Sequence, residues 1–269
     1  MLRKRLIVII FLIPTLALLL VQGGWWLTGL MTVLMSIAAW EFGRMFTLGG
    51  YQPANLLLIV GSGALVLLRY IFGIDESLLA LMLLFLVIMA YHVVQYELGN
   101  DRAALNFAIS ICGLVYIGWL GGYVISMREA AGGQWWLLLI FPAVWLTDLG
   151  GYLIGRAFGK HKLTRRVSPK KSWEGYFGGI VFSALATWGL AWLWQFAYPP
   201  LEPQMGLIVG LVIGIITPLG DLGESMLKRQ VGVKDSSNLL PGHGGVLDRI
   251  DSWLWAAVIG YYLVTMFYL

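Results

Sequence analysis

Long apolar runs alternate with short polar connections along almost the whole chain. A helix needs about 20 apolar residues to cross the hydrocarbon of a bilayer. On that criterion the pattern predicts nine transmembrane helices, at approximately 6–22, 25–44, 54–73, 77–96, 104–127, 134–156, 176–198, 205–221 and 252–269. The sixth and eighth differ from the others because they carry carboxylates toward their C-terminal ends. We therefore predict an all-α, polytopic integral membrane protein.

Composition supports this class and excludes a water-soluble domain. The chain is 59% hydrophobic and only 12% charged, with a mean hydropathy of +0.80, which is more apolar surface than one soluble core can bury. The basic N-terminus and its apolar run resemble a signal peptide, but no small-x-small cleavage site follows, so we predict an uncleaved first helix. We expect a single catalytic domain, 1–269, with N-terminal spans at about 1–130 and a catalytic half at about 131–269.

The distribution of basic residues predicts the orientation. If the N-terminus is cytoplasmic and every span reverses direction, all but two of the 18 Lys and Arg residues face the cytoplasm, and the exceptions are Arg69 and Arg128. This bias agrees with the positive-inside rule. The two long polar segments, about 156–175 and 221–251, then face the same compartment. Only one short outer connection separates the intervening spans, so we expect these segments to be neighbours.

Charged residues are concentrated in the second polar segment. Asp221 and Glu224 are spaced i, i+3, and Lys228 follows on the same predicted helix face. Asp248 and Asp251 repeat this spacing beyond a basic, glycine-rich stretch. Carboxylates near the hydrocarbon boundary are costly unless they are paired, metal-bound or hydrated. The two acidic pairs therefore indicate Mg²⁺ bridging a polyphosphate, and the alternative is a structural ion pair with Lys228.

The glycine-rich stretch is Pro241–Gly245, with His243 at its centre. Glycines at such a turn let backbone N–H groups approach an anion closely, as phosphate-holding loops do. His243 could contact a phosphate, relay a proton or cap the following helix. All three roles are open from the residues alone.

The first polar segment and the end of the span before it also carry more charged residues than are needed to set the orientation in the membrane. Asp148 lies late in the sixth span, where a proton relay, a metal ligand or a partner for an Arg are the alternatives. The loop that follows carries seven basic residues, some of which only attract anionic head groups. The compact order of turn, cations and acid from Ser168 to Glu174 is more than a positive-inside signal requires.

Two other polar features inside the spans have structural interpretations. Glu41 and Arg44 are spaced i, i+3, which predicts a neutralised pair. His92 is predicted to be a hydrogen-bonded helix histidine.

These motifs together resemble those of phosphatidate cytidylyltransferases, also called CDP-diacylglycerol synthases. The run S-x-L-K-R-x4-K-D-x-S-x2-L-P-x-H-G-G-V-x-D-R-I-D extends from Ser225 to Asp251. Upstream, in the family's order, stand T-D-x-G-x-Y, S-P-K-K-S-x-E-G and G-D-x-x-E-S, which begin at residues 147, 168 and 220. The resemblance covers roughly the C-terminal half. Gly151 is a mild departure, because many members have Ala there.

The resemblance implies a multi-helix bacterial enzyme of the cytoplasmic (inner) membrane, with its active site facing the cytoplasm. It implies transfer of CMP from CTP to phosphatidate, which gives CDP-diacylglycerol and pyrophosphate. We expect Mg²⁺ as cofactor, surrounding membrane lipid, a homodimer and no nucleic-acid partner. The predicted metal ligands are Asp221 and Asp248, assisted or replaced by Glu224 and Asp251. The predicted catalytic residues are Asp221, Asp248, Lys171 and Asp148. The predicted substrate-binding residues are Lys170, Glu174, Ser225, Lys228, Arg229, Lys234, Asp235, His243 and Arg249.

Two other functions are carried as alternatives. An ion-coupled transporter would use Asp148 and the Asp221 cluster as a proton or cation path, although transporters place such groups near the bilayer midplane. A CTP-dependent lipid kinase would share the nucleotide and the membrane setting. It would leave CDP rather than pyrophosphate, so product analysis distinguishes it from a cytidylyltransferase.

Overall fold

The computed structural model describes residues 14–240, 242 and 244–268. Within these residues, eight helices are long and apolar enough to cross a membrane. They are α1 (Gly24–Leu48), α2 (Asn55–Phe72), α3 (Ile74–Glu97), α4 (Ala103–Glu129), α5 (Gly133–Phe158), α6 (Trp173–Trp194), α7 (Pro203–Gln230) and α8 (Leu247–Phe267). The backbone is also helical through residues 14–22. The described part of the chain has isolated β-bridges but no strand.

These helices confirm the prediction of an all-α, polytopic membrane protein. They correspond one to one to the second through ninth predicted spans. Most of the first predicted span, 6–22, lies outside the described residues, so the count of nine stays a prediction. The two largest extensions beyond the predicted spans are at α7, which continues past residue 221 to Gln230, and at α8, which begins at Leu247. The extension of α7 contains Leu, Glu, Met, Lys and Arg, which are good helix formers even where the sequence turns polar.

One compact unit contains the described residues up to Ser126 together with Lys228–Ile250. Helices α1, α2 and α4 pack closely here because small residues face large ones. A Cβ at Gly113 would lie 2.7 Å from the Phe42 ring, and a Cβ at Gly118 would lie 2.7 Å from the Cα of Ser62. Directly after Gly113, α4 widens into a π-helical segment, Leu114–Trp119, which contains Gly118.

Helix α3 contributes a buried hydrogen bond to the same unit. His92 Nε2 lies 3.1 Å from Ser110 Oγ of α4, which confirms the predicted role of this histidine. The Ser110 hydroxyl in turn accepts from the backbone N–H of Ala54 at 2.9 Å. The pair therefore ties the start of α2 to α3 and α4.

The second compact unit contains Met127–Leu227 and the chain from Asp251 onward. Helices α5 and α6 approach closely: a Cβ at Gly155 would lie 3.3 Å from the Cα of Gly175. Ser183 of α6 also donates to the Ala143 carbonyl of α5 at 3.1 Å. Helix α7 joins α6 through Thr187, whose hydroxyl lies 2.8 Å from the Gly206 carbonyl. Hydroxyl groups thus find backbone acceptors inside an apolar setting that offers no water.

Candidate active site

An acidic cluster of the second unit is formed by α7 and α8. One carboxylate oxygen each of Asp221, Glu224 and Asp251 lies within 4.8 Å of the others. Glu224 is 1% and Asp251 7% exposed, and three acids this close repel one another unless a cation offsets their charge. The i, i+3 spacing on α7 brings the first two together, and the first turns of α8 supply the third. The cluster could therefore hold a metal ion.

The donor set of the acidic cluster fits a hard cation. It consists of oxygen atoms alone, which Mg²⁺ and Ca²⁺ prefer. The three oxygens, all within 4.8 Å of one another, are close enough that one such ion could contact them together. Ser252 Oγ, which donates to the Thr217 carbonyl at 3.2 Å, fixes α8 against α7 beside the acids.

The loop between α5 and α6 meets the acidic cluster through Lys171. Its ammonium group forms an ion pair with Asp221, and the two side chains are 27% and 33% exposed. This contact confirms that the two polar segments predicted to be neighbours meet in space. It also places a cation, which could bind a phosphate, directly beside an acid that could bind a metal.

A cavity of about 400 Å³ opens beside this ion pair. Its charged and aromatic lining residues are Asp148, Tyr152, Arg156, Lys170, Lys171 and Tyr176, and Pro218 of α7 lies at its wall. Three of the predicted site residues, Asp148, Lys170 and Lys171, therefore share one cavity. Sequence analysis gave no site role to Tyr152, which ends the T-D-x-G-x-Y motif, or to Arg156. The helical period carries both into the same space one and two turns after Asp148.

Glu174 organises the loop itself. Its carboxylate accepts from the His161 backbone N–H at 3.2 Å and lies 2.6 Å from His161 Nδ1. Ser172 caps α6 by accepting from the Gly175 N–H at 3.2 Å. The predicted substrate-binding role of Glu174 stays a prediction, and in this structure its contacts shape the loop that carries Lys170 and Lys171.

In the first unit, Lys228 forms a nearly buried ion pair with Asp248. The ammonium nitrogen lies 2.5 Å from Asp248 Oδ1, and the side chains are 9% and 5% exposed. Asp248 Oδ2 also accepts from the backbone N–H of Ser236 at 3.0 Å and from the Gly245 N–H at 2.8 Å. The Ser236 hydroxyl lies 3.0 Å from the same oxygen, and its single proton is shared between Asp248 and Glu41. This carboxylate is thus bound by a cation and by the glycine-rich turn together.

The glycine-rich turn is closed by a hydrogen bond of 2.9 Å from the Leu240 N–H to the Gly244 carbonyl. Gly244 has a φ of 81°, which side chains other than glycine rarely adopt. A Cβ there would lie 2.6 Å from Asp248 Oδ2, and a Cβ at Gly245 would lie 2.6 Å from Glu41 Oε1. The turn therefore has glycines where two carboxylates approach its backbone. His243 lies outside the described residues, and its three possible roles stay predictions.

The second of these carboxylates corrects the sequence analysis. Glu41 of α1 is fully buried and accepts hydrogen bonds from the hydroxyls of Ser236 and Ser237 and from the backbone N–H groups of Val246 and Leu247. The predicted pair of Glu41 with Arg44 does not form among the described residues.

Arg44 instead lies with its guanidinium 5.6 Å from the Trp40 ring. The reason is burial: four donors offset the cost of a dehydrated carboxylate, whereas an exposed arginine is hydrated and needs no partner. No linear spacing could have found this contact, because 195 residues separate Glu41 from Ser236.

The remaining predicted substrate-binding residues lie at or near the surface. Arg229 is exposed and donates to the Val233 carbonyl at 3.1 Å. Ser225 is half-buried, whereas Lys234, Asp235 and Arg249 are exposed. Their roles toward a substrate stay predictions.

Comparison with known proteins agrees with these features. Residues 3–267 match the model of the Cytidylyltransferase family. A phosphatidate cytidylyltransferase of Pseudomonas aeruginosa is 34% identical over 96% of this chain and 94% of its own length. One of Synechocystis sp. is 32% identical over 92% and 91%, respectively, and one of Mycobacterium tuberculosis is 31% identical over 86% and 72%. With a match over nearly its whole length, this chain belongs to the cytidylyltransferase family.

Proposed function

We propose that this protein is a phosphatidate cytidylyltransferase. An oxygen of the phosphatidate phosphate attacks the α-phosphorus of CTP, and the bond from that phosphorus to the bridging β-phosphate oxygen breaks. Pyrophosphate leaves with the electron pair, and CDP-diacylglycerol remains in the membrane. The observation that supports this most is the ion pair of Lys171 with Asp221, because it puts a basic cavity and an acidic cluster side by side in a membrane protein of this family.

The protein's own part in such a transfer is mainly to orient the substrates and to neutralise charge. Lys170, Lys171 and Arg156 line the cavity of about 400 Å³, and we assign them to the phosphates of the substrates. The helices leave large apolar side chains exposed, among them Tyr152 and Phe177. The acyl chains of phosphatidate can therefore stay in lipid along the helices while the head group enters the polar region.

We assign Mg²⁺ to the acidic cluster of Asp221, Glu224 and Asp251, whose oxygen donors fit this ion. When bound, Mg²⁺ neutralises phosphate charge and stabilises the departing pyrophosphate. Asp148 keeps its proposed catalytic role because it lines the cavity. Asp248 keeps its proposed role as a metal ligand, because the motif that contains it resembles that of the family.

We also propose the membrane, the orientation and the oligomeric state in which the protein acts. We place the N-terminus and both polar segments on the cytoplasmic side of the bacterial inner membrane, because the Lys and Arg residues concentrate on that side in the predicted topology. A homodimer is proposed from the family resemblance.

A product assay tests the proposed function directly. Purified protein in detergent, incubated with CTP, phosphatidate and Mg²⁺, is expected to release pyrophosphate and CDP-diacylglycerol in equal amounts. Excess EDTA is expected to stop the reaction, and added Mg²⁺ to restore it. Formation of CDP and a phosphorylated lipid would identify a lipid kinase instead. Absence of any CTP turnover would favour the transporter.

Lys171→Ala is expected to raise the apparent KM for CTP or phosphatidate about tenfold, because it removes a cation from the cavity wall. The matched control is Lys160→Ala, which removes an exposed cation from the same loop and is expected to leave both saturation curves unchanged. Initial rates over a range of each substrate provide the measurement. If Lys171→Ala left both curves unchanged, the basic residues of the loop would be assigned only to setting the orientation in the membrane.

A further inference from the structure

Glu41 of α1 is a buried carboxylate that binds residues on both sides of the glycine-rich turn. Glu41 Oε1 accepts from Ser237 Oγ at 2.6 Å and from the Val246 N–H at 3.0 Å. Glu41 Oε2 accepts from Ser236 Oγ at 3.1 Å and from the Leu247 N–H at 2.7 Å. Two of the four donors are serines of the loop between α7 and α8, and the other two are backbone N–H groups where that loop joins α8. Glu41 therefore joins the two sides of the turn.

The same two stretches hold Asp248. Ser236 donates to Asp248 from its backbone N–H at 3.0 Å, and Gly245 does so at 2.8 Å. The Ser236 hydroxyl lies 3.1 Å from Glu41 Oε2 and 3.0 Å from Asp248 Oδ2, so one hydroxyl connects the two carboxylates. Among the described residues, each of the two backbone donors to Asp248 is thus a residue that Glu41 binds or the direct neighbour of one.

Because Glu41 is buried, its carboxylate requires hydrogen-bond partners. Glu41 is fully dehydrated, and a buried charge persists only where hydrogen bonds replace its water. Each of its two oxygens accepts from one backbone N–H, Val246 or Leu247, so the NH₂ group of a neutral amide would face a donor in either orientation. A carboxylate that served only to pack α1 would not need this set of partners from the loop.

We propose that Glu41 is a positioning residue for cytidylyl transfer: it fixes the turn so that Asp248 and Lys228 keep a single geometry. Glu41 acts through the turn and does not touch substrate. It extends the active-site machinery to the N-terminal half of the chain, outside the motifs that carry the family resemblance. The inference rests on the proposed function only for its kinetic part.

The central test uses Glu41→Gln in the full-length protein. We expect kcat to fall about 30-fold and the Mg²⁺ concentration for half-maximal rate to rise several-fold, while the KM values for CTP and phosphatidate change less than twofold. A purely structural role would lower the thermal stability and leave these kinetic constants of the folded protein unchanged. Rates are therefore measured well below the unfolding temperature of each variant.

A second readout does not depend on activity. Hydrogen–deuterium exchange of the peptide that contains Val246 and Leu247 is expected to be at least tenfold faster in Glu41→Gln, because both amides lose a carboxylate partner. The matched control is Glu97→Gln, an exposed glutamate of the same unit, which is expected to change neither exchange nor kcat. Unchanged protection in Glu41→Gln would overturn the proposal, whatever the wild-type protein catalyses.

Milder variants keep the proposal testable if Glu41→Gln does not fold. Ser236→Ala removes the hydroxyl between the two carboxylates, and Ser237→Ala removes one of the four donors. We expect the kcat loss of Ser236→Ala to exceed that of Ser237→Ala, since only Ser236 also contacts Asp248. In a double-mutant cycle with Glu41→Asp, the Ser236→Ala effect is expected to be non-additive. Wild-type kcat in both Glu41→Asp and Ser236→Ala would overturn the proposal.

Discussion

Asp221→Asn is expected to reduce CDP-diacylglycerol synthesis about a thousandfold while the protein stays folded. The variant keeps the size of the side chain but removes one negative charge and one metal-binding oxygen from the acidic cluster. Loss of a metal-assisted contribution of several kcal/mol corresponds to a rate loss of this order. Stability should change little, because Asp221 is a third exposed and its ion pair with Lys171 is hydrated.

Three measurements check this expectation. Rates of pyrophosphate release are compared with those of Asp101→Asn, an exposed aspartate in the connection between α3 and α4, which is expected to be as active as the wild type. Thermal unfolding in detergent establishes that the variant is folded. Saturation curves separate Asp221→Asn, which lowers kcat, from Lys171→Ala, which raises KM. A folded Asp221→Asn protein with near-normal activity would disprove the metal assignment.

Asp248→Asn is expected to lose both activity and stability. It leaves the ammonium group of Lys228 in a site where the two side chains are 9% and 5% exposed. Removing one partner of a buried ion pair costs about 3–5 kcal/mol. For a protein of this size, a loss of about 3 kcal/mol lowers the unfolding temperature by about 6–12 °C. Activity is expected to fall at least about a hundredfold, because the variant also changes the residue that the glycine-rich turn is built around.

A double variant separates the two effects. Lys228→Met with Asp248→Asn removes the buried charge entirely and is expected to recover most of the lost stability, because a buried pair can be replaced by apolar groups of similar volume. Its activity should stay as low as that of the single variant. If the double variant were as unstable as Asp248→Asn, the buried ammonium group of Lys228 would not be the cause. Normal turnover of either protein would remove Asp248 from the active site.

The transmembrane helices were predictable because each needs only local information. About 20 consecutive apolar residues have one stable solution in a bilayer, so eight predicted spans reappear with shifts of a few residues at most of their ends. The largest shift is at the C-terminal end of α7, where the hydropathy ends at residue 221 but the helix continues to Gln230. Hydropathy marks the edge of the hydrocarbon and not the end of the helix.

The site was predictable only as far as its residues are close in sequence. The spacing of Asp221 and Glu224 predicted their common helix face, and the same spacing from Asp248 indicated Asp251, which α8 brings to them. The contacts of Glu41 with the serines of the loop depend on tertiary packing across 195 residues. The i, i+3 pattern with Arg44 gave a wrong partner, because such spacing reports which side chains can meet and not which environment each one enters.

The hydrogen bonds between Glu41 and the loop have a consequence for the synthesis and membrane insertion of the protein. At about 5–20 residues per second, a ribosome needs about 10–40 seconds to add the 195 residues between Glu41 and Ser236. During that interval α1 is in or near the membrane while the donors to its carboxylate have not been synthesised. An interior acid is costly for an isolated helix in lipid. We therefore expect the nascent N-terminal helices to stay near the insertion machinery or water until the last tenth of the chain emerges and completes the unit.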